Sequence, residues 1–247
     1  MDDAETTVQR FNALEGAGTE RLPLVRRILR TVIHRLSYYF IYNRSRTRHS
    51  QAAGLRLTVR PTVFHPRWFI TSEYFAAFVR QMDLKGKRVV DVGTGSGILA
   101  LSAAKAGAAS VIAIDINPNA ALSAGDNARL NDLTDQVTAV CSDLMSALAP
   151  RPIFDVIISS PPSFPGEPLD LADRAWHAGP GYRDIAALFE QASERLAPGG
   201  RLFLLLSSDS DLNLMCILAT RAGFQSRLVH KRSIFIESLL LYELFLD

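Results

Sequence analysis

The chain has 247 residues, 48% of them hydrophobic, and a formal net charge of +2. This composition excludes a disordered chain and predicts one large domain, with room for an N-terminal appendage. The acidic first twenty residues exclude a secretory signal, and no run reaches about 18 apolar residues, so we expect a soluble cytoplasmic protein. Two cysteines exclude a disulfide framework. Because Cys141 and Cys216 lie in apolar runs, we expect both to be reduced core thiols.

Charge is distributed unevenly along the chain. Residues 1–20 sum to −4, residues 21–72 contain eleven arginines and no acid, and residues 73–247 sum to −5. Within the basic segment, RLPLVRRILRTVIHRLSYYF has the apolar spacing of an amphipathic helix. The segment either packs on its own acidic domain or binds an anionic partner such as RNA or a membrane surface. We therefore predict a basic N-terminal helical extension, residues 1–54, and a main domain, residues 55–247.

The main domain begins with LRLTVR and TVFHPRWFI, which predict two strands or one strand and a loop, before the helix SEYFAAFVRQM. From residue 88 onward, strand-like runs alternate with helical patterns. The predicted buried strands are KRVVDV, SVIAID, QVTAVC, FDVIIS and RLFLLL. The predicted helices between them are GILALSAAKAG, NPNAALSAGDNARLN, GYRDIAALFEQASERLAP and SDLNLMCILATRAG. This alternation predicts an α/β fold with a doubly wound, mostly parallel sheet of seven strands, counting FQSRLVHKR and ESLLLYELFL, the last inserted antiparallel.

Ligands of such sheets bind beyond the carboxyl ends of the strands. The first buried strand ends in DVGTGSG, where Gly93, Gly95 and Gly97 allow a sharp turn and a close ligand approach. The loop is not a phosphate-binding P-loop, and Ile98 replaces the third glycine of the dinucleotide motif. Asp115 ends the next strand, 22 residues after Gly93, where a carboxylate can accept hydrogen bonds from both ribose hydroxyls. The two features together predict a nucleoside site.

Asp143 follows the third buried strand and is placed to meet an adenine amino group. Either aspartate could instead cap a helix, because Asp143 precedes LMSALA and Asp115 lies close to Pro118. The combination of both aspartates with the glycine loop favours the nucleoside site.

These residues resemble a known family. VVDVGTGSGILALSAAKAGAASVIAIDINPNA is similar to the S-adenosylmethionine site of class I methyltransferases, and the likeness extends from about residue 60 to residue 247. FDVIISSPPSFPGEP, AWHAGPGYRDI and LAPGGRLFLLLSS most resemble the HemK/PrmC group. The resemblance implies a Rossmann-like methyltransferase domain with S-adenosylmethionine as its cofactor. The implied cofactor contacts are Asp91, Gly93, Thr94, Gly95, Gly97, Asp115, Ile116, Asn117, Asp143, Leu144 and Ser160.

The same resemblance assigns the catalytic loop to Ser160, Pro161 and Pro162. In the HemK/PrmC group an Asn or Asp, two prolines and an aromatic residue receive a planar nitrogen. Here Ser160 stands in the Asn position, and Ser163 stands in the aromatic position, one residue before Phe164. The expected substrate contacts are Phe164, His177, His65 and Trp68. A hydroxyl or ammonium acceptor would also need a base, for which the candidates are Glu167, Asp170, Asp173, His177 and His65.

The sequence therefore predicts a methyltransferase that acts on a planar nitrogen of a protein or another substrate. The alternatives are a small-molecule or lipid N- or O-methyltransferase, and a catalytically silent nucleotide- or RNA-binding module. The histidines and cysteines show no ligand spacing, so no metal site is predicted.

Overall fold

The centre of the molecule is a seven-stranded β-sheet. The computed structural model describes residues 46–64, 70–234 and 237–247. Within them the strands are β1 (Arg48–Ala52), β2 (Leu55–Val59), β3 (Arg88–Val92), β4 (Ser110–Asp115), β5 (Val137–Cys141), β6 (Phe154–Ser159), β7 (Leu196–Ser207), β8 (Gln225–Ser233) and β9 (Ser238–Phe245). The sheet has the order β5-β4-β3-β6-β7-β9-β8, and β1 and β2 form a separate hairpin.

The sheet is mostly parallel. The neighbouring strands β5, β4, β3, β6 and β7 are parallel to one another. The strand β9 lies between β7 and β8 and is antiparallel to both. This confirms the predicted doubly wound architecture. Because β4 and β5 extend the sheet on one side of β3 and β6 lies on the other, the loops after β3 and β6 meet at a topological switch point.

Helices cover both faces of the sheet. They are α1 (Ile70–Val79), α2 (Ile98–Lys105), α3 (Pro118–Leu130), α4 (Arg183–Arg195) and α5 (Leu212–Arg221). The first three pack with the hairpin in one hydrophobic cluster, and α4 and α5 pack in a second cluster. All five lie where the apolar spacing predicts them. In the described parts of the chain, no helix combines the length and apolar character needed to cross a membrane.

The β1–β2 hairpin includes a strand that the sequence does not predict. β1 pairs antiparallel with β2 across a turn at Ala53 and Gly54, both with positive φ. The hairpin crosses the predicted domain boundary between residues 54 and 55. After β2 the chain is irregular up to residue 64, so the interpretation of one strand and a loop holds for this part. The predicted amphipathic helix in residues 21–40 lies outside the described residues.

Part of the arginine-rich segment packs on the domain. Arg60 forms an ion pair with Asp126 of α3, with 2.6 Å between Nη2 and Oδ2. Arg56 donates to the Leu130 carbonyl at the end of the same helix. These two arginines therefore have partners within the fold.

One of the predicted core thiols lies at the surface. Cys216 is buried in α5, whereas Cys141 is exposed. Cys141 is the last residue of β5, an edge strand of the sheet. The prediction for Cys141 was wrong because the apolar run TAVC does not reveal that its strand has a neighbour on one side only.

Candidate active site

The DVGTGSG loop connects β3 to α2. The N–H groups of Gly93 and Thr94 donate to a carbonyl at the end of β4, at 2.9 and 2.8 Å. A Cβ at Gly97 would lie 3.0 Å from Ala124 of α3, and its φ of +83° also favours glycine. A Cβ at Gly93 or Gly95 would meet no atom within 4 Å. The loop is therefore held tightly at Gly97 and is open at its first two glycines.

Asp91, in β3, holds this loop through hydrogen bonds. The residue is 0% exposed, and its Oδ2 accepts hydrogen bonds from Thr94 Oγ1 at 2.6 Å and from the Ala100 N–H at 3.0 Å. Its buried Oδ1 has no hydrogen-bond partner among the described residues. Burial raises the pKa of Asp91 to about 7, against the lowering effect of the two hydrogen bonds. Asp91 thus fixes the loop to the start of α2 and retains one unsatisfied acceptor.

Asp115 stands at the end of β4, facing the glycine loop. Its Oδ2 accepts the Gly95 N–H at 2.8 Å, and its Oδ1 accepts the Asn117 N–H at 2.9 Å. Each oxygen has a second lone pair, so each can accept one further hydrogen bond. Burial raises the pKa of Asp115, and the two backbone hydrogen bonds oppose this shift.

Asn117, and not Asp115, caps α3. Its Oδ1 accepts the Asn119 N–H at 3.0 Å, and its Nδ2 donates to both oxygens of Thr62, at 3.2 and 3.1 Å. The side chain of Asn117 therefore ties the loop after β2 to the start of α3. Capping does not account for the position of Asp115.

Asp143 and Leu144 lie just beyond β5. Residues 144–147 form turns and not a helix, so the alternative in which Asp143 caps a helix at LMSALA is wrong. Leu144 has a positive φ of 48°, which marks a sharp change of chain direction at the carboxyl edge of the sheet.

The SPPSF segment begins where β6 ends. Ser159 is the last strand residue, lies opposite Val92 of β3, and donates its Oγ to the Val92 carbonyl at 2.8 Å. The next residue, Ser160, is exposed, and the two prolines end the strand because they supply no backbone donors. Further along, Tyr182 Oη donates to the Ser163 carbonyl at 3.0 Å. The segment therefore starts beside the glycine loop and is anchored at both ends.

The chain from residue 164 to residue 179 folds back on this segment. Phe164 donates its N–H to the Trp176 carbonyl at 3.0 Å and accepts the Ala178 N–H at 2.9 Å. Asp173 is buried and accepts the Leu169 N–H at 2.9 Å, and its Oδ2 lies 3.0 Å from His177 Nδ1.

The candidate bases of this region have structural partners. Asp170 accepts the Asp173 N–H at 2.8 Å, and Glu167 forms an ion pair with Arg183. None of Glu167, Asp170, Asp173 and His177 lines the cavity between the glycine loop and the SPPSF segment. His65, the remaining candidate, lies outside the described residues.

A cavity of about 580 Å³ joins the glycine loop to the SPPSF segment. The predicted site residues that line it are Gly93, Thr94, Gly95, Asp115, Ile116, Asn117, Asp143, Leu144, Ser160, Pro161, Pro162 and Phe164. Asp91, Gly97 and His177 do not line it, and Trp68, like His65, lies outside the described residues. The cavity is therefore built mainly from loops that follow the carboxyl ends of β3, β4, β5 and β6.

Several residues of the cavity wall were not predicted from the sequence. Phe64 and Trp176 line the cavity as an edge-to-face pair, with ring centroids 5.3 Å apart. Arg174 and Asp184 also line it, with Nη1 and Oδ2 3.6 Å apart. Asp209 follows β7, so the rule that ligands bind beyond strand ends would have identified it.

The charge of the cavity wall is predominantly negative. Among the described residues that line it, the acidic ones are Asp115, Asp143, Asp184, Asp209 and Glu237, and the basic one is Arg174. Such a wall favours a ligand with a positive centre and disfavours phosphate groups inside the cavity. Among the described residues there is no cluster of three His, Cys, Asp or Glu side chains suited to a metal ion.

Comparison with protein families gives a match over the part of the chain that contains the glycine loop. The family model of the ribosomal protein L11 methyltransferase (PrmA) matches residues 71–160. This range contains all of α1 except Ile70, together with the glycine loop, Asp115, Asp143 and Ser160.

Curated relatives include methyltransferases with different acceptors. A Methanocaldococcus jannaschii protein, provisionally named a protein N5-glutamine methyltransferase, is 30% identical over 160 residues, which cover 63% of this chain and 77% of the relative. The tRNA1(Val) (adenine(37)-N6)-methyltransferase of Tolumonas auensis is 35% identical over 56% of this chain and 58% of the relative. The ribosomal protein L11 methyltransferase of Porphyromonas gingivalis is 44% identical over 36% of this chain and 30% of the relative. The chain thus spans less than two thirds of the last two relatives.

Solved structures agree on the fold. A ribosomal protein L11 methylase from Lactobacillus delbrueckii subsp. bulgaricus has a TM-score of 0.55 at 22% identity, with coverage of 74% of this chain and 82% of that chain. The T. thermophilus 16S rRNA N2 G1207 methyltransferase, solved with AdoMet and guanosine, has a TM-score of 0.58 at 23% identity, with coverage of 80% and 50%. The shared architecture, the family match over residues 71–160 and the M. jannaschii relative together show that this chain belongs to the class I S-adenosylmethionine-dependent methyltransferases.

Proposed function

We propose that the protein transfers a methyl group from S-adenosylmethionine to a planar nitrogen held at the Ser160–Pro161 segment. The observation that carries this proposal is the single cavity that extends from Asp115 to Ser160 and the two prolines. It allows a nucleoside at one end and a methyl acceptor at the other to meet at the switch point between β3 and β6.

The residues of the cofactor end fit S-adenosylmethionine. Asp115 retains one free acceptor position on each carboxylate oxygen, which suits two neighbouring ribose hydroxyls. The open sides of Gly93 and Gly95 admit a close ligand. We assign the ribose to Asp115 and the adenine amino group to Asp143. The apolar side chains of Ile116 and Leu144 would pack on the base.

The negative wall also fits this cofactor, which carries a positive sulfonium. S-adenosylmethionine, when bound, supplies an electrophilic methyl group. The protein's part is to align the acceptor with that group, and alignment alone removes much of the barrier to displacement.

At the acceptor end, Ser160 Oγ and the Pro161 carbonyl would accept the hydrogens of a planar nitrogen. Both acceptors stabilise the positive charge that develops on the nitrogen as it attacks. The neighbouring Ser159 also lines the cavity, but it is 2% exposed and its hydroxyl is held against the Val92 carbonyl, so the exposed Ser160 is the more accessible acceptor. Phe164 and the Phe64–Trp176 pair supply aromatic surface for the acceptor group.

The named acceptors of the relatives support a planar nitrogen. The names of the M. jannaschii and T. auensis proteins specify a glutamine amide nitrogen and an adenine amino nitrogen. We favour a protein acceptor over a nucleic acid, because the carboxylates of the cavity wall would repel phosphate groups. The runner-up is a small-molecule or lipid acceptor, for which a serine in place of Asn makes room.

The test is a pair of Ser160 variants. The substrate is first identified by mass spectrometry of cell extract treated with the protein and isotopically labelled S-adenosylmethionine. Steady-state rates on that substrate are then compared for Ser160→Asn and Ser160→Ala, with Ser193→Ala on α4 as a serine control outside the cavity. Ser160→Asn should retain or raise turnover. Ser160→Ala should lose about 1 to 3 kcal/mol of transition-state stabilisation through the lost hydrogen bond.

A hydroxyl or alkyl amine acceptor predicts the reverse pattern. In that case Ser160→Asn crowds the site and is inactive, while Ser160→Ala remains close to wild type. That result would overturn the planar-nitrogen mechanism. A wild-type protein that binds S-adenosylmethionine and labels no molecule in the extract would support the catalytically silent alternative.

A further inference from the structure

The edge of β2 that faces away from β1 is covered by side chains of α3 and of its C-cap residue, Asn131. Asn131 binds both main-chain groups of Arg56, with its Oδ1 accepting the N–H at 3.0 Å and its Nδ2 donating to the carbonyl at 2.7 Å. Asn127 binds both groups of Thr58 in the same way, at 2.6 and 3.0 Å. Ser123 accepts the N–H of Arg60 at 3.1 Å.

The spacing of these contacts explains how a helix can act as a partner for a strand. Ser123 and Asn127 of α3 and Asn131 at its C-cap are four residues apart, which corresponds to a rise of about 6 Å along a helix. Their partners in and just after β2 are two apart, which corresponds to about 6.6 Å along a strand. The two repeats match closely enough for three successive contacts. The row satisfies backbone groups that a strand edge would otherwise leave unpaired.

Asn127 differs from Asn131 in one contact. The second N–H of Asn131 donates within its own helix, to the Asn127 carbonyl at 2.8 Å. The second N–H of Asn127 donates to a residue outside the helix, the carbonyl of Ser96, at 2.8 Å. Asn127 is 0% exposed, so water does not compete for these bonds.

Ser96 belongs to the glycine loop of the proposed cofactor site. It lies between Gly95, whose N–H binds Asp115, and Gly97, which contacts α3. One amide of Asn127 therefore connects β2 directly with the loop that lines the cavity. Neither Asn127 nor Thr58 lines the cavity itself.

We propose that Asn127 is a positioning residue that couples the β1–β2 hairpin to the glycine loop, so that the pairing of Asn127 with Thr58 and Ser96 is required for full cofactor affinity. The inference rests on the proposed binding of S-adenosylmethionine at this loop. By linkage, a cofactor that favours the ordered loop must also stabilise the pairing of Asn127 with β2.

Two alanine variants test the coupling. Asn127→Ala and Asn131→Ala each remove the bonds to β2, so both should lower the melting temperature. Calorimetry with S-adenosylhomocysteine should show about tenfold weaker binding for Asn127→Ala, the effect of one buried hydrogen bond, and near wild-type binding for Asn131→Ala. Hydrogen exchange should quicken in β2 for both variants but in the glycine loop for Asn127→Ala alone.

Equal losses of affinity in the two variants, or none in either, would overturn the proposal. If Asn127→Ala does not fold, the wild-type protein still provides a test. Saturating S-adenosylhomocysteine should slow exchange at the Thr58 amide, and unchanged exchange there beside a protected glycine loop would also refute the coupling. A wild type that does not bind S-adenosylhomocysteine would instead refute the proposed function.

Discussion

Asp115→Ala tests the cofactor assignment most directly. The substitution removes the two acceptor positions that we assign to the ribose hydroxyls. It also leaves the N–H groups of Gly95 and Asn117 without their carboxylate partner. The change therefore affects both ligand binding and the loop that lines the cavity.

The expected loss follows from the number of hydrogen bonds. Two bonds from hydroxyls to a buried carboxylate contribute about 2 to 4 kcal/mol together. This corresponds to about 30- to 700-fold weaker binding of S-adenosylhomocysteine. Isothermal titration calorimetry measures the affinity, and thermal unfolding in the absence of ligand shows whether the fold is retained.

Asp126→Ala is the matched control. Asp126 lies on α3, pairs with Arg60 and Arg129, and does not line the cavity. Like Asp115→Ala, this substitution removes one carboxylate, and it should leave the affinity within about threefold of wild type, because ion pairs near the surface contribute little. A folded Asp115→Ala protein that binds S-adenosylhomocysteine as tightly as wild type would refute the ribose assignment. A wild type that binds NAD but not S-adenosylhomocysteine would refute the cofactor itself.

Two further predictions concern pH and the basic segment. Because the pKa of Asp91 rises from 3.8 to about 7 on folding, the contribution of Asp91 to stability should be greatest below about pH 4 and fall by roughly 4 kcal/mol as the pH rises to 7. Asp91→Asn retains an oxygen for Thr94 and Ala100 and should flatten the dependence of melting temperature on pH, so equal slopes in both proteins would contradict the shift. Removal of residues 1–45, which leaves the hairpin intact, should abolish salt-dependent binding to RNA or anionic vesicles if the segment binds a polyanion, and should lower stability if it packs internally. A truncated protein unchanged in both respects would leave neither interpretation of the segment standing.

The predictions from sequence succeeded where a local pattern determines the structure. The runs of β-branched residues and the glycine loop carry their conformation within a few residues, so the parallel strands, their helices and the position of Asp115 follow from the sequence. The strand β1 does not, because RHSQA has no β-propensity pattern and gains its structure from β2. Asp184 lies in the first turn of α4 and lines the cavity only because of the way this helix packs on the sheet. The exposure of Cys141 depends on the strand order, which no local run of residues encodes.

The position of β9 has a consequence for the order in which the protein folds. The strand is formed by residues 238–245, yet it lies inside the sheet, between β7 and β8. During synthesis β8 emerges before β9, the only described strand that pairs with it. The apolar residues of β8 therefore remain exposed until β9 has been synthesised. The strands β3 to β7 and the glycine loop precede both in the chain. A nascent chain that ends before residue 238 could therefore assemble the parallel part of the sheet, β3 to β7, while β8 remains undocked and open to aggregation or chaperone binding.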